Sequence, residues 1–330
     1  MSSVSELEDS ISSSSSKAGA CTTRSQCDAF ASRTFGGPVK PIPVQGAFSY
    51  TVAAANDTVI VQDSPLDMQI LGTVQAIHPG FVADRSYHGT IGSSLTLLIY
   101  SMNMLPGDTY FNISLSLLDG DFDHQLTTVR SLARFFAQSW QGRSHSDPDA
   151  ITADLENCHS SFSYLSSNLP SRFQKTIARI KENLSALFSG EYPLVLTHGD
   201  LSERNILANP ETGEVTGIID WAEAGILPFG FTLYALDHML GYLTLDGWVF
   251  HDTAEYLRDE FWRVFCELAG GVSQGDMELI QLATLAGLFL RYGIPYKPGR
   301  KGVVGVGGSL RLSFSTEPKP APDATEEEWG

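Results

Sequence analysis

The chain has 330 residues, enough for two lobes that each bury a core. Its 38 acidic and 21 basic side chains leave a formal net charge of -17. That balance argues against nucleic acid and against anionic membrane surfaces, both of which select clustered Lys and Arg. A neutral or cationic small-molecule substrate stays open, because net charge alone does not define a site.

The four cysteines, Cys21, Cys27, Cys158 and Cys266, show no metal-ligand spacing, and free thiols in a reducing compartment are expected. No run of about 18 apolar residues is present, so no membrane-spanning helix is expected. The opening stretch MSSVSELEDSISSSSSK is acidic and Ser-rich, unlike a secretory signal or an Arg-rich transit peptide. The cytoplasm is the expected location.

Residues 1–40 read as a mostly disordered leader, Ser-rich at its start and poor in large apolar groups. Residues 41–104 read as a β-rich lobe. FSYTVAA and TVIVQ are short β-branched or aromatic runs parted by Asn56 and Asp57, a hairpin signal. SPLDMQILGTVQAI then sets Leu66, Ile70, Val74 and Ile77 at helical spacing behind a Ser64–Pro65 start. LTLLIYSM reads as a buried strand, and LPGD at 105–108 breaks the pattern.

Residues 105–300 read as mainly helical. Leu126, Val129, Leu132, Phe136 and Trp140 share one helical face, as do Phe173, Ile177, Ile180, Leu184 and Leu187. Further helices are expected around 230–243, 251–270 and 276–291, with PLVL and VTGIID as short apolar strands. The acidic run DGDFD at 119–123 reads as a solvated helix start. Residues 301–330 turn Gly-rich, then Pro- and Glu-rich, and read as a flexible tail.

Between the two short strands lies THGDLSERNIL, residues 197–207. Asp200 and Asn205 are five apart on the loop, and Asp220 closes the next strand fifteen residues later. Pairing of the flanking strands would bring Asn205 and Asp220 to one side of the hairpin base. A carboxylate and an amide oxygen suit Mg²⁺, which completes its shell with water and substrate phosphates. Asp200 is then left as a base, and the set suits in-line phosphoryl transfer to a hydroxyl.

HGDLSERN followed by IIDW resembles the aminoglycoside phosphotransferase and choline kinase family, whose catalytic loop reads H-G-D-x-x-x-x-N. The longer string IIDWAEAGILPFGFTLYALDHMLG resembles a fungal branch of it. The resemblance spans roughly residues 40–296 and is specific only in these C-terminal motifs. It implies an α+β, protein-kinase-like two-lobe fold, a small β-rich N-lobe and a larger mainly helical C-lobe, with ATP and Mg²⁺ in the cleft. Under it Asp200 is the catalytic base, Asn205 and Asp220 are the metal ligands, and His198 braces the loop. On the nucleotide side it points to Gly46 and Ser49 in the phosphate-covering loop, with a plain hairpin as their competing reading, to Gln62 on the strand that usually carries a Lys, and to Ser101 and Asn103 at the strand-to-linker junction. Glu223, Asp237 and Tyr234 are expected on the acceptor side. A turn cap, a solvent-facing helix position and core packing are their competing readings.

One part of the pattern is missing. No lysine occurs between Pro41 and His145, and the helix after VIVQ has Asp67 as its only acid. The Lys–Glu pair of a kinase N-lobe is therefore absent. Arg85 and Arg204 are the candidate replacements. The leading expectation is phosphoryl transfer from ATP to a small-molecule hydroxyl. The alternatives are a repurposed lyase, cyclase or isomerase of natural-product biosynthesis, using Asp200 without ATP, and a non-catalytic pseudokinase.

Overall fold

The computed structural model describes residues 24–294 except 44, 46–48, 56, 63–64, 93–95, 117–121, 145–146 and 245–246. The Ser-rich start, Gly46, most of the DGDFD run and the C-terminal tail lie outside the described residues. Two compact units emerge. One takes the described residues up to Leu71 together with Val82–Leu105; the other takes Gly72–Phe81 and those from Pro106 on.

The first unit is a five-stranded antiparallel sheet, built from β1 (Val39–Pro41), β2 (Ser49–Ala54), β3 (Asp57–Gln62), β4 (Arg85–Ile91) and β5 (Leu97–Asn103) in the order β1-β2-β3-β5-β4. The expected hairpin runs from Ser49 paired with Gln62 to Ala54 paired with Asp57. Residues 24–35, expected within the disordered leader, instead form helix α1 (Arg24–Phe35). Cys27 and Ala31, one turn apart, pack with Tyr50, Val52, Val59 and Ile99 of the sheet. Such small residues give little sequence periodicity, and tertiary packing holds the helix. The Tyr50 hydroxyl fixes it further by donating to Asp28 at 2.9 Å.

Gln45 ties the connection between β1 and β2. Its amide donates to the carbonyls of Ile42 and Thr51 and accepts from the Thr51 N–H, all at 2.7–2.9 Å. Helix α2 (Met68–Ile77) starts later than Ser64–Pro65 would put it. The Asp67 carboxylate caps it by accepting from the backbone N–H groups of Gln69 and Ile70.

The second unit is mainly helical: α3 (Tyr110–Ser116), α4 (Phe122–Gln141), α5 (Pro148–Asn168), α6 (Gln174–Leu187), α7 (Tyr234–Met239), α8 (Ala254–Ala269) and α9 (Gln274–Tyr292). Of the two amphipathic faces read from the sequence, that of α6 is buried together with Phe173 just before it, and that of α4 is buried at Val129, Leu132, Phe136 and Trp140 while Leu126 is only partly covered. Edge-to-face rings join Phe136 and Trp140 of α4 to Phe229, Phe261 and Phe265. Each such buried ring contributes about 2–3 kcal/mol. Helix α5 had no counterpart in the sequence reading. Asp147 caps it, Pro148 opens it, and Cys158, Phe162 and Leu165 are its buried positions. The helix expected over 230–243 ends at Met239. There the chain turns into a hairpin of β11 (Gly241–Thr244) and β12 (Gly247–Phe250), whose β-branched and aromatic residues favour strands.

Short strands frame the motif: β7 (Leu194–Thr197) pairs with β10 (Gly225–Pro228), and β8 (Ile206–Ala208) pairs with both β6 (Asp108–Thr109) and β9 (Val215–Ile218). Cys27, Cys158 and Cys266 are free. No helix among the described residues is long and apolar enough to cross a membrane.

Candidate active site

The loop from His198 to Asn205 leaves β7 and enters β8. Leu201, fully buried, anchors its middle. Ile206 lies opposite Ile218, and the Ile219 N–H donates to the Asn205 carbonyl at 2.9 Å. This strand pair carries Asn205 and Asp220 to the same end of the hairpin, as the sequence spacing required. The Asn205 amide nitrogen donates to the Asp200 carbonyl at 2.8 Å. Its oxygen is thereby held on the opposite side of the amide.

His198 is a brace. Its Nδ1 accepts from the Asp200 N–H at 3.3 Å, so Nε2 carries the proton and donates to the Ile219 carbonyl at 2.7 Å. The ring packs on Trp221 with centroids 4.6 Å apart. Burial pulls His198 down to about 4, which keeps this neutral tautomer at pH 7. One side chain therefore ties the Asp200 loop to the strand that delivers Asp220. The backbone of Asp220 is left-handed, with φ 63°. Asp tolerates that region better than most residues, and the turn aims the chain into the 3-10 segment Trp221–Glu223.

A cation absent from the sequence reading completes the cluster. Arg291, in the last turn of α9, forms an ion pair with Asp200 and a second with Glu223 at 3.1 Å. Its side chain is 10% exposed, against 28% for Asp200 and 32% for Glu223. The sequence signal was an arginine inside the apolar run TLAGLFLRYGI. A guanidinium is buried only where carboxylates meet it.

Two carboxylates thus pair with one guanidinium, and Asp220 feels its charge without touching it. Burial raises Asp200 to about 6; Arg291 pulls against this, while Glu223 and Asp220 push further up. Asp220 is raised by burial and then by Glu223. Burial opposes the charge on Arg291, but Asp200, Tyr234 and Glu223 carry its pKa above the ordinary value. Tyr234 is fully buried, its hydroxyl has no hydrogen-bond partner among the described residues, and it feels Tyr292, Arg291, Asp200 and Glu223.

The remaining expected residues are placed elsewhere. Asp237 pairs with Arg258 at 2.7 Å rather than joining the cluster. In the first unit, Ser49 and Gln62 are register partners. Ser101 is buried and bonded to His88 at 2.7 Å, and Asn103 sits at the other end of the sheet, opposite Asp57. Arg85 donates to the Leu71 carbonyl, and Arg204 lies over the Phe111 ring at 4.0 Å. Both candidate replacements for the missing Lys are committed to these contacts. The aromatic group Tyr234, Tyr242, Trp248 and Phe250 divides: Tyr234 and Trp248 are core, Tyr242 is 42% exposed, and Phe250 carries Arg258 on its face.

The sequence model of the phosphotransferase enzyme family, APH, matches residues 89–259, just over half of the chain. The chain belongs to this family. Among solved structures, a choline/ethanolamine kinase family protein from Mesorhizobium loti matches with a TM-score of 0.50 at 13% identity, covering 80% of this chain and 82% of that one. An ethanolamine kinase from Plasmodium vivax matches with a TM-score of 0.48 at 9% identity, covering 96% and 90%. An aminoglycoside phosphotransferase from Streptomyces rimosus gives 0.47 at 14%, covering 81% and 99%. A search of curated proteins found no match. At 13% identity the likeness to the Mesorhizobium loti protein is one of fold. This phosphotransferase-family chain has the protein-kinase-like architecture, an N-terminal five-stranded antiparallel sheet followed by a mainly helical region.

Proposed function

We propose that this family member transfers a phosphoryl group from ATP to the hydroxyl of a small molecule. The observation that carries the reading is Asp200, pushed up to about 6 beside Asn205 and Asp220. A base poised just below neutral pH is mostly ionised at pH 7 yet accepts a proton readily. As the acceptor oxygen forms its bond to the γ-phosphorus, the bond from that phosphorus to the bridging oxygen breaks. The hydroxyl proton passes to a carboxylate oxygen of Asp200, and ADP departs. His198 keeps the loop in register.

The donor set fits Mg²⁺. Asp220 and the Asn205 amide oxygen would hold it, and the excess of carboxylate over guanidinium in the cluster is relieved by a cation. No group of three or more His, Cys, Asp or Glu among the described residues is arranged to hold a metal ion. Mg²⁺ needs no such group where water and phosphate oxygens complete its shell. Bound there, it would neutralise charge building on the phosphates.

The test is calorimetric titration of the full chain with ATP, with and without Mg²⁺, in wild type and Asp220→Asn. Binding is expected to need Mg²⁺ and to weaken at least about tenfold in the variant. No heat at millimolar nucleotide in either condition removes this reading. Where binding holds, release of ADP with candidate hydroxyl compounds identifies the acceptor.

A second reading has one observation in its favour: neither β2 nor β3 carries a Lys or Arg, and Arg85 is engaged by Leu71. Under it the chain is a repurposed member, of fungal natural-product chemistry, in which Asp200 moves a proton without ATP. Turnover lost in Asp200→Asn and indifferent to nucleotide would identify that case.

A further inference from the structure

Helix α9 opens with a capping box between Ser273 and Asp276 and runs apolar almost to its end. At Gly287 it lies on the backbone of Phe231 so closely that a methyl group there would enter the Phe231 carbonyl. Gly287 and Arg291 are four residues apart and so share a face. The seating of Gly287 on residue 231 therefore fixes where Arg291 emerges one turn later. What it meets is Asp200 on one side and Glu223 on the other. Asp200 belongs to the loop after β7, and Glu223 to the turn after Asp220. Arg291 joins the two through one cation.

A planar guanidinium has donors for two carboxylates at once, in a fixed fork, whereas an ammonium is a point charge. Position in the last helical turn adds the favourable end of the helix dipole. We infer that Arg291 is a positioning residue, a clamp that fixes the carboxylate of Asp200 relative to the Asp220–Glu223 turn for proton transfer. The inference rests on the phosphotransfer reading for its chemistry, but the clamp itself is a property of the loop. Without it, Asp200 keeps its place in the chain and loses its direction. Nucleotide affinity does not depend on that direction; the rate of the transfer step does.

The experiment uses the full chain as wild type, Arg291→Gln and Arg291→Lys, with two readouts. The first is amide hydrogen exchange, followed by mass spectrometry, over peptides spanning 198–205, β7 and α9. Loss of a charge-assisted contact is expected to speed exchange in 198–205 by about tenfold in Arg291→Gln. Arg291→Lys, which reaches only one carboxylate, should fall between it and wild type, with β7 and α9 unchanged. Unchanged loop exchange in both variants overturns the clamp. So does a uniform rise across all peptides, which would make Arg291 an ordinary core contact. If Arg291→Gln does not fold, Arg291→Lys is judged alone by the same criteria.

The second readout is MgATP turnover. The expected result is a fall in kcat of roughly 100-fold in Arg291→Gln, the scale of a misdirected reacting group. KM for ATP should stay within about threefold, since a misdirected base alters the transfer step rather than ground-state binding. A raised KM with kcat unchanged overturns the positioning role. A wild type inert toward MgATP whose loop exchange responds as expected leaves the clamp standing and removes only the phosphotransfer reading.

Discussion

Gly199 passes directly over the carbonyl of Glu223, so close that a Cβ on Gly199 would collide with it, and does so with a left-handed backbone at φ +78°. The crossing lets the Asp200 loop and the Trp221–Glu223 turn share one small volume. Gly199→Ala would face both penalties. The left-handed conformation costs about 1 kcal/mol for an L side chain, and the carbonyl cannot retreat without moving Glu223 and, through it, Arg291. The expected outcome is a Tm lowered by several degrees and loss of most turnover. A variant with wild-type Tm and turnover would show that the loop has room that the geometry denies it.

Asp220 separates charge from backbone. Its φ of 63° is one that Asn accepts and Ala resists, by about 1 kcal/mol. Asp220→Asn and Asp220→Ala should both lose Mg²⁺-dependent ATP binding, while Asp220→Ala alone should show an additional fall in Tm. Equal Tm values in the two variants would mean the turn carries no strain, and Mg²⁺-dependent binding retained in Asp220→Asn would remove the residue from the metal site.

The motif was legible because its geometry is local. Asn205 and Asp220 flank two strands short enough that their pairing follows from spacing, and the pairing of Ile206 with Ile218 carries it out. Helices such as α6 were legible because Ile177, Ile180, Leu184 and Leu187 are large and regularly spaced. Helix α1 was not, since its buried residues, Cys27 and Ala31, barely mark a face. Helix α5 hid behind a Ser-rich polar surface around Phe162 and Leu165. Arg291 was out of reach for a different reason. Its partners lie far upstream in sequence, and only the seating of α9 on Phe231 brings them together. The match to the family begins at residue 89, after the strands where the expected Lys is missing. The departure from the kinase pattern is thus confined to the part of the chain that the family model leaves unmatched.

Gly287 offers a test of that seating. Gly287→Ala inserts a methyl group into the Phe231 backbone, and overpacking of this kind costs about 1–3 kcal/mol. Helix α9 should shift away, lowering Tm by several degrees and loosening 198–205 in hydrogen exchange in the same direction as Arg291→Gln. Destabilisation without any change in that loop would mean Arg291 reaches Asp200 from a shifted helix equally well.

Acid should unfold this protein through its buried histidines. His78 bonds through Nδ1 to Gln138 at 3.0 Å, lies 3.3 Å from the Ser139 hydroxyl, and stacks on Phe135. Burial lowers it to about 4, as it does His198. Unfolded, each titrates near 6.5, so between pH 6.5 and 4 the unfolded chain binds more protons than the folded one. The stability each contributes is complete above pH 6.5 and is lost as pH falls toward 4, at up to about 1.4 kcal/mol per pH unit. The raised carboxylates work the other way: Asp200, at about 6, makes the folded state less stable as pH rises through the same window. A comparison of wild type with His78→Gln cancels that opposing slope, because both proteins share it. His78→Gln should be less stable at pH 7.5, through lost packing, yet lose less with acidification, so that the two Tm curves converge from pH 6.5 to 5. Parallel curves over that range would mean that His78 takes up its proton in the fold as readily as in the unfolded chain, so that its burial carries no pH-dependent stability.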